Sequence, residues 1–331
     1  MKTLVTGGAG FIGSHLVDRL VEDGHEVIVL DNFATGYPEN LAKHHGSPRF
    51  HLQQLDITNQ EAIQPYFHDI EWVFHVAALA DIVPSIKQPM DYHQVNVDGT
   101  VNVLEAARLA GIKRFIYTAS SSCYGIPDVI PTPETAAIKP EYPYALTKYL
   151  GEQYVLHWGK VYQLGVLSFR LFNVYGLRSR TTGAYGAVFG VFLAQKLHNK
   201  PFTVIGDGTQ ARDFTFVTDV VDALVMAAGS DISNEVMNVG SGSSYTVNRL
   251  VELLGGDVVY IPKRPGEPDC TQADISKIKK MLGWEPKVSF EEGIKIVLEH
   301  IDWWKEAPVW TPETIQEATE EWFKYLSNEK A

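Results

Sequence analysis

The stretch TLVTGGAGFIGSHLVDRLVEDG, beginning at Thr3, constrains this chain more than any other. A short apolar run ends at Gly7, a glycine-rich turn carries Gly10 and Gly13, and an amphipathic pattern closed by Gly24 follows at once. Strand, glycine turn and helix in that order open a βαβ unit. The pattern then repeats. EVIVLD (26–31), RFHLQQLD (49–56), WVFHVAA (72–78) and RFIYTAS (114–120) read as strands, and VNVLEAARLAG has helical spacing with a glycine stop. A long helix is expected from near Tyr144 towards Gly159, followed by a core strand in GVLSFRLF (165–172). Strands alternating with helices predict an α/β fold with a parallel sheet covered on both faces.

Such a turn has a specific use. Gly7, Gly10 and Gly13 permit a tight bend, a close backbone approach to a pyrophosphate, and close helix–strand packing, while the helix N-terminus offers free N–H groups to phosphate. The spacing is G-x-x-G-x-x-G rather than the standard G-x-G-x-x-G. Asp31 closes the second strand, where an acid accepts adenosine ribose hydroxyls and repels a 2′-phosphate, which favours NAD over NADP. Asp56, at the end of the third strand, is a candidate for the adenine edge. The expected architecture is therefore a Rossmann-type doubly wound parallel sheet over residues 1–173, with 213–238 returning to it through FVTDVVDALVMAA (216–228). A smaller C-terminal α/β substrate domain is expected over 174–331, with GLRSRTTGAYGA (176–187) as a loop at its start.

Composition narrows the partners. The formal net charge of −12 comes without a basic stripe, so general nucleic-acid binding is not expected. No apolar run reaches the length of a membrane span. The two cysteines, Cys123 and Cys270, lack metal-ligand spacing and suit a reducing compartment. The first strand begins too early to leave room for a signal peptide, so a cytoplasmic location is expected.

YALTK places Tyr144 and Lys148 on one helix face. A phenol is a poor base at neutral pH, and a nearby lysine cation together with the nicotinamide charge favours the phenolate. TGGAGFIG, SSSCYG, YALTK and GDGTQARDF, in this order, resemble the extended short-chain dehydrogenases/reductases of the nucleotide-sugar epimerase/dehydratase group. The resemblance covers about residues 1–300 and implies a Ser/Thr–Tyr–Lys triad, with Tyr144 as base and Lys148 also binding nicotinamide ribose. Family members place the catalytic Ser/Thr four positions before the tyrosine of a Tyr-Gly pair, which selects Ser120. Strand alternation puts Ser122 on the same side and turns Ser121 away as a structural residue. Tyr124 is expected to pack or form pocket wall, and Cys123 to be a buried thiol. The resemblance also implies Phe11, Ile12, Asn32, Ile57, Ala77 and Asn96 for the cofactor, NAD.

Dehydratases of this group carry Asp-Glu directly after the catalytic Thr, and this chain has Ser121 and Ser122 there. Neither can act as a general acid at neutral pH, so a 4,6-dehydratase is disfavoured and the decarboxylating relatives with it. A bare triad suits C4 epimerisation of a nucleoside-diphosphate sugar. The alternatives are a nucleotide-sugar dehydrogenase or 4-ketoreductase, and an NAD-binding scaffold or sensor. By resemblance Arg212 and Arg264 hold the diphosphate, Glu267 the nucleotide ribose and Asn173 the diphosphate-sugar, while Ser85 lies in the sugar wall. A homodimer through a four-helix bundle, built from helices near 96–110 and 144–158, is implied too.

The tail VWTPETIQEATEEWFKYL departs from the family. Thr311 and Pro312 start a helix, and Ile315, Ala318, Trp322 and Leu326 form an apolar stripe that packs on its own domain or, alternatively, on a second subunit. Family members restricted to simple hexoses carry a bulky residue where this chain has Thr271. Thr271→Tyr is therefore expected to abolish turnover of a C2 N-acetylated substrate while sparing the simple hexose. Steady-state rates on the pair check this, and equal loss of both contradicts it.

Overall fold

The computed structural model describes residues 1–179 and 188–327, so residues 180–187 of the predicted loop lie outside the described residues. Its centre is a seven-stranded, all-parallel sheet. The strands are β1 (Lys2–Thr6), β2 (Glu26–Asp31), β3 (Phe50–Gln54), β4 (Trp72–His75), β5 (Arg114–Ser120), β6 (Val166–Leu171) and an edge strand, Glu235–Val239. They lie in the order edge–β6–β5–β4–β1–β2–β3. β2 and β3 grow away from β1 on one side, and β4 to β6 on the other. The connections thus part between β1 and β4, the switch point where open α/β sheets bind ligands at the strands' carboxyl ends. β1, β2, β4, β5 and β6 are buried almost throughout, as a sheet covered on both faces requires.

The first helix, Phe11–Glu22, packs Leu16, Val17 and Leu20 in one core cluster with Val220, Val221 and Leu224 of the Val217–Ala228 helix. A second cluster is rich in aromatics, with Tyr175 stacked on Phe189 and Phe214 on Phe290. Among its surroundings are a parallel pair, Phe202–Ile205 with Val258–Ile261, and the tail helix Pro312–Leu326, which buries Ile315 and Trp322. Leu326 is only partly buried, and Thr319 takes the covered position between the two larger residues.

The Pro143–Tyr162 helix is fixed to β6 by a buried ion pair. Arg170 donates from Nη2 to Glu152 Oε1 at 2.6 Å and from Nε to Oε2 at 3.0 Å, and Ser168 Oγ donates to the same carboxylate at 3.1 Å. The guanidinium continues to the Tyr124 hydroxyl at 2.9 Å, which donates to Asn238 Oδ1 at 2.7 Å. Tyr124 is therefore a packing residue beneath the sheet's end. Removing one partner leaves a buried charge uncompensated, so Glu152→Ala is expected to destabilise the fold by about 3–5 kcal/mol in denaturant titration. A change below ~1 kcal/mol contradicts that role.

Candidate active site

One cavity of about 1000 Å³ runs from the glycine turn to the tail helix. At its first end, Gly7 has φ +70°, and a Cβ there would lie 2.7 Å from the Ala77 backbone. A Cβ on Gly13 would collide with the Gly7 carbonyl. Both contacts let the helix start press against β1 and β4. Gly10 is the N-cap of the first helix, and among the described residues no side chain caps it, so the first amides are open towards the cavity. Asp31 accepts from Ala9 N at 2.9 Å and Phe33 N at 2.8 Å; burial raises its pKa and these bonds oppose the rise. Burial also opposes the charge of Asp56. The amide and hydroxyl of Thr58 and the Asn32 amide, at 2.8 Å, nevertheless hold its pKa below the usual value. Phe11, Ile12, Asn32, Asp56, Ile57 and Ala77 all line this end. Open helix amides, a glycine floor and an acid at the second strand's end fit NAD.

In the middle, β5 ends at Ser120 and turns at once into a 3₁₀ helix, Ser121–Tyr124. Strand alternation therefore stops before it can place Ser122. The turn brings Ser122 back instead: the two hydroxyls lie 2.8 Å apart, and Ser122 N donates to Ser120 Oγ at 3.2 Å. Ser121, expected to face away, also lines the cavity. Cys123 is buried, and burial pushes its thiol up to about 12.

Tyr144 and Lys148 project from the Pro143–Tyr162 helix into the same space. Burial raises the phenol's pKa, and a hydrogen bond with Ser120 works against that rise. The Lys148 ammonium lies 4.3 Å from the centre of the buried Tyr117 ring, and the group favouring the phenolate here is Ser120 rather than the lysine. Burial pushes Lys148 from 10.5 down to about 7, with Glu152 opposing.

At the far end, Arg212 and Arg264 share one carboxylate: Arg264 Nη1 reaches Glu267 Oε1 at 3.0 Å, and Arg212 Nη2 lies 3.6 Å from Oε2. Thr271 Oγ1 donates to Asn173 Oδ1 at 3.3 Å. All five residues line the cavity.

Two expected site residues are elsewhere. Asn96 is buried and uses its amide on the Leu79 backbone and on Thr147 Oγ1, tying a cavity loop to the helix behind it. Ser85 is buried in the Ile82–Lys87 helix and donates to the Ile82 carbonyl at 2.6 Å. Neither lines the cavity. Sequence reasoning missed two others. Asp213, fully buried, accepts from Ser241 N, Gly242 N and Ala273 N and so sets the loops beside Arg212 and Thr271. Trp322 of the tail helix is part of the cavity wall. The Asp after Arg212 in QARDF was the only signal for the first; its helical register alone marked the second.

Fold and cavity together define a dinucleotide-binding protein of the extended short-chain dehydrogenase/reductase class. More narrowly, the chain belongs to the NAD dependent epimerase/dehydratase family, whose model matches residues 3–240. It is 38% identical to the UDP-glucose 4-epimerase of Mycolicibacterium smegmatis over 90% of this chain and 98% of that one. It is 35% identical to UDP-glucuronic acid decarboxylase 3 of Arabidopsis thaliana, over 90% of this chain and 88% of that one. The crystal structure of the Thermotoga maritima UDP-glucose 4-epimerase with UDP-glucose superposes with a TM-score of 0.85 at 37% identity, covering 92% of this chain and 99% of that one. The Thermus thermophilus UDP-glucose 4-epimerase complex with NAD gives 0.83 at 33% identity, over 91% and 99%. The cofactor of this chain is NAD.

The depressed lysine has a thermodynamic consequence. Between about 7 and 10.5 the unfolded chain holds a proton that folded Lys148 has released, so stability rises with pH through that window. Below it, the buried cation burdens the fold. Lys148→Met is therefore expected to raise the thermal midpoint of the nucleotide-stripped protein near pH ~7 by roughly 3 °C or more. Calorimetry across that pH range checks both the gain and the flattened pH dependence; a lowered midpoint contradicts the account.

Proposed function

We propose that the protein inverts C4 of a UDP-sugar through a transient 4-keto sugar, with NAD retained. The observation that carries this reading is the meeting of Ser120, Tyr144 and Lys148 between the glycine cradle and the Arg212–Arg264 end of one cavity. NAD held by the glycine turn and Asp31 would supply a reversible hydride acceptor. Tyr144 takes the proton of the C4 hydroxyl and later returns one to the same oxygen. Ser120, steadied by Ser122, hydrogen-bonds that oxygen, and Lys148 holds the nicotinamide ribose. Arg212 and Arg264 grip the diphosphate, Glu267 the nucleotide ribose and Asn173 the sugar end of the diphosphate, so that the sugar can turn while the nucleotide stays fixed. Arginine suits this work because its fork meets phosphate oxygens in pairs.

Serines at 121 and 122 favour this reaction over dehydration or decarboxylation, since neither supplies a carboxyl for further proton transfer at the sugar. Among the described residues no helix is long and apolar enough to cross a membrane. A homodimer fits the exposed apolar side chains on the two helices expected to pair: Leu109 is 52% exposed on Gly99–Ala110, and Tyr154, Val161 and Tyr162 are 40–50% exposed on Pro143–Tyr162.

The test incubates the protein with a panel of UDP-sugars and no added NAD, reading products by proton NMR. Inversion at C4 is expected, and Tyr144→Phe should lower kcat by about 10³-fold or more. A Tyr144→Phe variant as active as the native protein overturns the assignment. NADH accumulating in step with product, once NAD is added, would make it a dehydrogenase instead.

A further inference from the structure

The tail helix Pro312–Leu326 lies beyond the roughly 300 residues that carry the family motifs, yet it reaches the cavity. It starts on a capping box in which Thr311 N donates to Thr314 Oγ1 at 2.9 Å and Thr314 N donates back to Thr311 Oγ1 at 3.3 Å. Ile315 and Ala318 anchor it in the aromatic core, and its length also packs against the Ile82–Lys87 helix. Trp322, only 2% exposed, then meets the far end of the cavity in three ways. Its ring centre lies 5.3 Å from the Arg264 guanidinium carbon. Its Nε1 donates to the Pro265 carbonyl at 2.7 Å. Its ring also lies 6.2 Å from that of Tyr142, which stacks at 6.4 Å on Tyr144 with the planes 5° apart.

The segment 263–269 that carries Arg264 and Glu267 belongs to no helix or strand, and Gly266 turns through φ +73°. Its C-terminal end is tied by Ala211 N to the Asp269 carbonyl at 2.8 Å and by Arg212 Nη1 to the Pro268 carbonyl at 2.9 Å, while the Pro265 carbonyl is held by Trp322. Trp322 restrains two consecutive residues of it, one through the backbone and one through the side chain. We propose that Trp322 is a positioning residue for nucleoside-diphosphate binding: the tail helix delivers its indole to Arg264 and Pro265 and so sets the guanidinium in the cavity before substrate arrives. The proposal rests on the reading of Arg264 as a diphosphate ligand. Because such preorganisation acts on ground state and transition state alike, its loss falls on KM rather than kcat.

The experiment uses the full-length protein with its NAD and takes UDP as the probe, with affinity read by calorimetry and KM and kcat read on the active UDP-sugar. Trp322→Ala should weaken UDP and raise KM about tenfold, through loss of one cation–π contact and one buried hydrogen bond, with kcat changed less than about twofold. Trp322→Phe, which keeps a ring and loses the N–H, should lose about threefold. In an Arg264→Ala background, Trp322→Ala or Trp322→Phe should add less than about a further twofold, because the residue acts through Arg264. Unchanged UDP affinity in Trp322→Ala, beside a clear loss in Arg264→Ala, overturns the proposal and leaves the diphosphate reading standing. Fully additive losses also overturn it, as does a fall confined to kcat, which would place the effect on Tyr142 and Tyr144. If Arg264→Ala itself binds UDP like the native protein, the diphosphate reading fails and the proposal with it. Should Trp322→Ala not fold, Trp322→Phe and its coupling to Arg264→Ala carry the same decision.

Discussion

The buried pair between Glu152 and Arg170 fixes how Tyr144 and Lys148 stand against Ser120. Tyr144 and Lys148 stand on the helix that carries Glu152, and Ser120 ends the strand beside the one that carries Arg170. Two short charge-assisted bonds across that boundary, continued through Tyr124 to Asn238, set the helix at one height against the sheet. A displacement of one helical turn would carry the phenol past Ser120. The ion pair is stable in a dry interior because each oxygen and most donors find a partner; without that network, burial would cost more than the attraction returns. The same glutamate also sits one turn from Lys148 and opposes the burial that would discharge it.

Burial sets the electrostatic problem that the site has to solve. It raises the Tyr144 phenol, lowers the Lys148 ammonium, and leaves Ser120 as the protein's own group favouring the phenolate. A cavity with these two residues and no bound cofactor is therefore poised on the neutral side. On the proposed function, NAD bound beside Tyr144 would supply the missing positive field, which would couple base strength to cofactor occupancy. At the other end, two arginines hold one carboxylate between them in a chain that is acidic as a whole. On the proposed function, this is the end that takes the anionic diphosphate.

Much of this was legible because it is written locally. The glycine turn, the strand ends and the Tyr-x-x-x-Lys face each depend on neighbours a few residues away, and β2 and β5 begin and end at the residues the apolar runs mark. Asp31 and Ser120 stand at the ends of their strands for the same reason. Asn96 does not line the cavity because partners distant in sequence, Leu79 and Thr147, take its amide, and Ser85 does not because its hydroxyl turns back to the Ile82 carbonyl of its own helix. Ser122 reached the expected place by a different route, a 3₁₀ turn rather than strand alternation. Trp322 was invisible because its partners, Arg264, Pro265 and Tyr142, are distant in sequence, and a tryptophan on an apolar stripe looks like any core residue.

On the proposed function, C4 is oxidised and reduced within one binding event. The most direct measurement uses the active UDP-sugar deuterated at C4, incubated with the purified protein and then analysed by NMR and mass spectrometry. The expected product is inverted at C4 and keeps its deuterium there, whether or not unlabelled NADH is present in solution. Inversion with loss of deuterium to water or to free cofactor, or release of a 4-keto sugar whose deuterium has passed to the reduced cofactor, would contradict it.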